Sequence, residues 1–198
     1  MIVLKIIILL FSLVLHELAH GYMAYFCGDK TAKYSGRLSL NPINHLDPAG
    51  TLLPILMLLS GSTYVIGWAK PVPVNYGAFR NGRIGEFLVA IAGAMMNYLL
   101  MFICVLLIKF NIVQLNPVTI YFIVINMVLG TFNLLPIPPL DGSRVVASFL
   151  DGQDRWKVFS MDRYGLFIVI GLSYFGILSR ILNPIYSWIL RFIDIIIR

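Results

Sequence analysis

The stretch Ile2-Val3-Leu4-Lys5-Ile6-Ile7-Ile8-Leu9-Leu10-Phe11-Ser12-Leu13-Val14-Leu15-His16-Glu17-Leu18-Ala19-His20 carries an H-E-x-x-H motif at the end of an apolar run. Between Ile2 and Leu15 the polar residues are Lys5 and Ser12, and the chain stays largely apolar to Phe26. Three ionisable side chains within about one and a half helical turns are costly in hydrocarbon and persist there with partners or a purpose. On a helix, positions i and i+4 share a face, so His16 and His20 can grip one metal ion from one side. Glu17 follows the first histidine, where it can polarise a water at the metal without being a ligand. The pattern reads as a zinc hydrolase built within a membrane.

Composition agrees. Of 198 residues, 59% are hydrophobic and 12% charged, about half the charged fraction of a soluble domain, and mean hydropathy is +0.86. Apolar runs of spanning length recur at 2–26, 84–108, 118–135 and 166–182. A shorter run covers 51–66, and 185–197 is interrupted by Arg191 and Asp194. The expected fold is an all-α polytopic membrane protein of five to six transmembrane segments, with a re-entrant, partly extended loop after the first helix. The net charge of +6 comes without a basic stripe interleaved with aromatics, so it implies cytoplasmic loops in a bilayer and no nucleic-acid partner. Cys27 and Cys104 read as free thiols. The first apolar stretch is too long for an ordinary signal-peptide core and contains the metal motif, so it is expected to be retained. Without internal repeats or long linkers, 1–198 reads as a single domain, with a core over 1–150 and C-terminal helices over 164–198.

Turn formers divide the chain. Residues 28–50 are polar, and 67–81 contain Pro71, Pro73 and Gly77, which suits an extended edge segment or hairpin. A helix is expected over Gly82 to Lys109. Asn116-Pro117 starts the next segment, which the three prolines at 136, 138 and 139 stop. Residues 151–163 read as a charged loop. A metal site must be completed at the depth of His16 and His20. Were 51–66 to cross the bilayer, Asp141 would emerge at the opposite face, so 49–82 is expected to dip in and return. That choice places ten of the fifteen Lys and Arg residues on one side, which the positive-inside rule makes cytoplasmic.

A catalytic zinc needs a third protein ligand and an open position. The two glutamates are Glu17 and Glu86, and most of the seven aspartates sit in polar loops. Asp141, directly after the proline-broken helix, is the best-placed carboxylate; capping a helix over 143–150 is its other reading. His45 suits a metal ligand, a substrate contact or a turn residue, with structural use favoured. Asn97 and Asn133 are amides in apolar helices that could hold a scissile carbonyl, steady an oxyanion, or pack between helices.

Together these residues resemble the site-2 protease family of intramembrane zinc metalloproteases. The resemblance rests on HELAH at 16–20, Gly93-Ala94-Met95-Met96-Asn97, and Asn133-Leu134-Leu135-Pro136 leading to Leu140-Asp141-Gly142. The stretches NPINHLDPAG from Asn41 and GWAKPVPV from Gly67 also look like the compact bacterial and archaeal branch. The resemblance implies one Zn2+ per chain held by His16, His20 and Asp141, with Glu17 as general base. It also implies a re-entrant β element after residue 50 and single-span membrane-protein substrates met within the lipid bilayer of a prokaryotic plasma membrane. Ala94 stands where the family often has proline, a change that touches no ligand. No stretch is long enough for the PDZ or CBS domains of some relatives. The competing reading is a metal-binding membrane protein without catalysis, either a transporter or an inactive protease-like scaffold. Clustering of the polar intramembrane groups at one depth, with Glu17 intact, weighs against it. The sequence assigns neither an oligomeric state nor a particular substrate.

Overall fold

A computed structural model describes residues 2–45, 47 and 70–197. The described chain is helical: α1 (Ile2–Cys27), a single turn α2 (Thr31–Tyr34), α3 (Gly82–Lys109), α4 (Pro117–Asn133), α5 (Asp141–Ser148), α6 (Gly152–Ser160), α7 (Asp162–Tyr174) and α8 (Ile177–Ile197). Two short 3-10 turns, Pro42–His45 and Tyr76–Ala78, punctuate the connections.

Two helices, α1 and α3, are long and apolar enough to cross a membrane. Helices α7 and α8 qualify together but are bent by 76° at their break, and α4 is a shorter apolar helix. The described helices thus hold two spans, or three counting the bent pair, against the five to six expected from the sequence. The apolar run 51–66 and most of the expected re-entrant loop lie outside the described residues. The outer faces of α1 and α3 leave Ile6, Ile7, Phe11, Leu99, Phe102 and Ile103 exposed, a surface that hydrocarbon solvates and water does not. The protein is a helical membrane protein.

Helix α3 is the central post, packed against α1, α4, α5 and α8. Small residues on one face, Ala90, Gly93, Ala94 and Asn97, are buried there and let neighbouring backbones approach closely. Helix α4 starts as its sequence dictates: the Asn116 side chain accepts the N–H groups of Val118 and Thr119, the Thr119 hydroxyl returns to the Asn116 N–H at 2.9 Å, and Pro117 takes the first turn. An apolar cluster of Met101, Val105, Ile108, Ile123, Met127 and Ile193 closes the end of α3 away from the histidines.

The chain between α1 and α3 returns to its starting point. The Arg80 N–H donates to the Cys27 carbonyl at 2.9 Å, and Phe79 packs with Ala24 and Val89. So α1 ends where α3 begins, whatever the path between. Three sequence expectations are corrected. Residues 70–75 form no strand among the described residues; Pro71 and Pro73 lack the N–H groups a ladder needs. The charged loop expected at 151–163 is helix α6 and the start of α7. The expected apolar run 166–182 is broken at Phe175-Gly176, where Gly176 adopts φ +69°, a conformation glycine takes without steric cost. Cys27 and Cys104 are free thiols, as expected.

Candidate metal centre

His16 and His20 project from α1 towards α3 and are 5% and 8% exposed. Each Nδ1 has a partner on α3. His20 Nδ1 lies 2.7 Å from the Val89 carbonyl oxygen, which can only accept, so His20 carries its proton on Nδ1. His16 Nδ1 lies 2.7 Å from Asn97 Oδ1 and donates to it. Both Nε2 atoms are then bare and face one another at 3.1 Å. Asp141 Oδ2 completes a triangle at 3.2 Å from each.

Three electron-rich atoms at this spacing repel one another unless a cation lies among them. The edges of a tetrahedral zinc site with bonds of about 2.0–2.1 Å are about 3.3 Å, close to the triangle observed. Gly93 lines the same space: a Cβ there would sit 2.3 Å from His20 Nε2 and 2.6 Å from His16 Nε2. The donor set of two imidazoles and a carboxylate suits zinc, so the residues present fit the metal.

Asp141 reaches the histidines because the chain breaks where it does. Helix α4 ends at Asn133, the proline-rich turn follows, and α5 begins with Asp141 as its first helical residue. The N-cap position is Leu140, one residue earlier, and the Asp141 carboxylate faces the two imidazoles. Gly142 lets the turn close, since a Cβ there would fall 2.2 Å from the Leu134 carbonyl.

Glu17 Oε2 accepts the main-chain N–H of Val72 at 2.8 Å. The segment that supplies this donor is tied down on both sides. The Arg37 guanidinium donates to the carbonyls of Lys70 at 2.7 Å and Pro71 at 3.2 Å. Asp29, itself buried, accepts the Asn75 N–H at 2.7 Å and the Thr31 N–H at 2.9 Å.

The remaining candidates separate. Asn97 is fully buried, with its oxygen on His16 and its amide nitrogen donating to Asn126 Oδ1 at 3.0 Å, so it packs between helices and orients His16. Asn133 donates to the Leu129 carbonyl one turn back. His45 is 2% exposed; its Nε2 donates to the Ser39 carbonyl at 2.7 Å, and its own carbonyl accepts the Lys70 N–H, a structural use. Val72, Val89, Asn126 and Ser12 were not anticipated. Asn126 carried the same signal as Asn97, an amide within an apolar helix, and Ser12 lies one turn before His16 on the same face.

A buried H-E-x-x-H helix facing a downstream aspartate, within an apolar helical frame, defines the class of membrane metallopeptidases. A profile of Peptidase family M50 matches residues 111–172. YwhC of Bacillus subtilis, whose name places it provisionally among zinc metalloproteases, is 40% identical over 193 residues, covering 92% of this chain and 85% of its own. Rip2 of Mycolicibacterium smegmatis, named in the same provisional way, is 29% identical over 191 residues, 92% of this chain and 71% of its own. Zinc metalloprotease MJ0392 of Methanocaldococcus jannaschii is 27% identical over 146 residues, 73% of this chain and 33% of its own. No solved structure matches the chain. The chain belongs to Peptidase family M50, the site-2 proteases its motifs resemble.

Proposed function

We propose that this protein is a zinc-dependent intramembrane endopeptidase that hydrolyses peptide bonds in or near the transmembrane segments of single-span membrane proteins, and so acts in regulated intramembrane proteolysis. The observation that carries the reading is the triangle of His16 Nε2, His20 Nε2 and Asp141 Oδ2, with both Nδ1 protons committed to α3. These residues would hold one Zn2+ per chain. The metal, when bound, supplies a Lewis acid that brings the pKa of a water down towards about 7.

The chain's own residues do the rest. Glu17 takes the proton of the attacking water on the carboxylate oxygen that Val72 leaves free, and hands it to the nitrogen of the leaving amine. The Val72 N–H fixes the rotamer from which it does so. A transmembrane substrate hides its peptide bonds in helical hydrogen bonds, so it must unwind locally first. The anchored 70–75 segment beside Glu17 is where an unwound stretch would lie, held by main-chain pairing with the N–H and carbonyl groups that the prolines leave available.

The reading keeps five to six crossings in one domain of a prokaryotic plasma membrane. It places the active site towards the cytoplasm, because the loops at the shared end of α1 and α3 are lysine- and arginine-rich. The test compares wild type with Glu17→Gln. Both purified proteins should contain about one zinc per chain by elemental analysis. Membrane fragments that accumulate in cells carrying Glu17→Gln and disappear with wild type identify the substrate. Cleavage of such a fragment by Glu17→Gln at the wild-type rate would remove the mechanism.

A further inference from the structure

We propose that Asn126 on α4, oriented by the Phe122 carbonyl and acting through Asn97, is a positioning residue that fixes the tautomer of His16 and so sets the metal affinity of the site. The inference rests on the reading of His16 as a zinc ligand and adds the device that prepares it.

The constraint on His16 originates at a main-chain carbonyl. Asn126 Nδ2 lies 2.9 Å from the Phe122 carbonyl oxygen and 3.0 Å from Ser12 Oγ. The carbonyl can only accept, so the NH2 end of Asn126 must point to it and its Oδ1 must point the other way. That oxygen faces Asn97, 3.0 Å away, and demands the NH2 end of Asn97. Asn97 Oδ1 is thereby turned to His16 Nδ1 at 2.7 Å, and an oxygen there requires a proton on Nδ1. Nε2 is left with its lone pair facing Asp141 and His20. One carbonyl on α4 thus dictates, through two amides, which nitrogen of a histidine on α1 is free.

Ser12, Asn97 and Asn126 are each 0% exposed, so water does not compete, and a reversed amide would set oxygen against oxygen in a low-dielectric interior. His20 needs no such relay, because Val89 offers its carbonyl directly. His16 sits at the junction of α1, α3 and α4, and the relay carries the orienting signal across α3. Ser12 and His16 are one turn apart on α1, so the network starts and ends on the same helix face and ties three helices at the depth of the metal.

The test measures zinc affinity of the purified full-length protein in detergent, by competition with a chelator of known affinity, alongside thermal melting. Asn126→Leu removes both acceptor and donor of the second link and should weaken zinc binding by about tenfold or more, within the range for outer partners of a metal ligand. Ser12→Ala leaves the Phe122 carbonyl in place and should change it far less. Val105→Ala, in the apolar cluster at the other end of α3, should lower the melting temperature and leave zinc affinity unchanged. Wild-type affinity in Asn126→Leu, or an equal loss in Val105→Ala, overturns the relay while leaving the zinc reading intact. A wild-type protein that binds no zinc overturns both. Should Asn126→Leu fail to fold, nitrogen NMR of 15N-histidine-labelled wild type decides: a proton on His16 Nδ1 in the metal-free protein supports the relay, and a proton on Nε2 overturns it.

Discussion

At the scale of single residues, the site is defined as much by what is missing as by what is present. Gly93 contributes only the absence of a side chain, yet it borders both Nε2 atoms. Gly93→Ala should therefore abolish stoichiometric zinc binding while the helices still form, measured as zinc per chain against far-ultraviolet circular dichroism; a full complement of zinc in that variant would show that the metal lies elsewhere. Val72 offers a complementary case. Pro71 and Pro73 have no N–H, so Val72 presents the one donor between them, and Glu17 takes it. Val72→Ala retains the donor and should turn over substrate nearly as wild type does. Val72→Pro removes it and should lower kcat by about ten- to hundredfold, the worth of a hydrogen bond to a charged group, with zinc content unchanged. Equal rates in the two variants would mean the contact is incidental. The histidines and Glu17 were legible in the sequence because their spacing is local and the helix period alone puts them together. Asp141 was legible through the scarcity of carboxylates near the right depth. The Val72 donor was not, since every residue but proline carries an N–H and only the fold selects one.

At the scale of elements, boundaries were legible where the chain carries hard punctuation. Helix α3 runs from Gly82 to Lys109 as the pattern predicts, and α4 begins at its Asn116 cap. Helix α3 continues unbroken past Asn97, which keeps Asn97 in register with His16. Helix α6 was illegible because it has no buried residue and no apolar face to betray it. Its attachment is mixed: Arg155 reaches the buried Glu86 of α3 at 2.6 Å, Arg83 pairs with Asp151, and Phe159 packs edge-to-face on Tyr76. Arg155→Ala would take from Glu86, 1% exposed, its one direct ion-pair partner among the described residues and leave it the field of Arg144. The cost of an unpaired buried charge reaches about 3–5 kcal/mol; the partial exposure of Arg155 brings the expected value to about 1–3 kcal/mol. That loss should appear as faster tryptic cleavage after Lys157, a site that the substitution leaves in place, and adding Glu86→Gln should recover most of it. Cleavage at the wild-type rate in Arg155→Ala would mean that other contacts hold α6.

At the scale of the whole molecule, one geometric requirement organises the chain: two imidazoles late in α1 must meet a carboxylate just after α4. His20 lies seven residues before the end of α1, roughly 10 Å along the helix axis, and bonds to Val89, seven residues after the start of α3. Antiparallel α1 and α3, followed by antiparallel α4, bring Asp141 to the same end as Cys27 and Arg80. This much of the topology followed from the sequence by a depth argument, because a wrong crossing would have left the ligands at opposite faces. The described helices hold two spans, or three counting the α7–α8 pair, whose 76° bend no hydropathy run registers. The arrangement commits the connections to sides. Lys30 and Lys157 belong to the end that carries Asp141, and Gln114, between α3 and α4, belongs to the other; all three are exposed. In a chain with Cys27 and Cys104 replaced by alanine, a cysteine at 114 should react with a membrane-impermeant thiol reagent added to intact cells. Cysteines at 30 and 157 should react only after permeabilisation. If 30 and 157 label from opposite sides, α1 and α4 do not end together and the metal centre cannot assemble. If both label from outside, the site stands and only its cytoplasmic assignment falls.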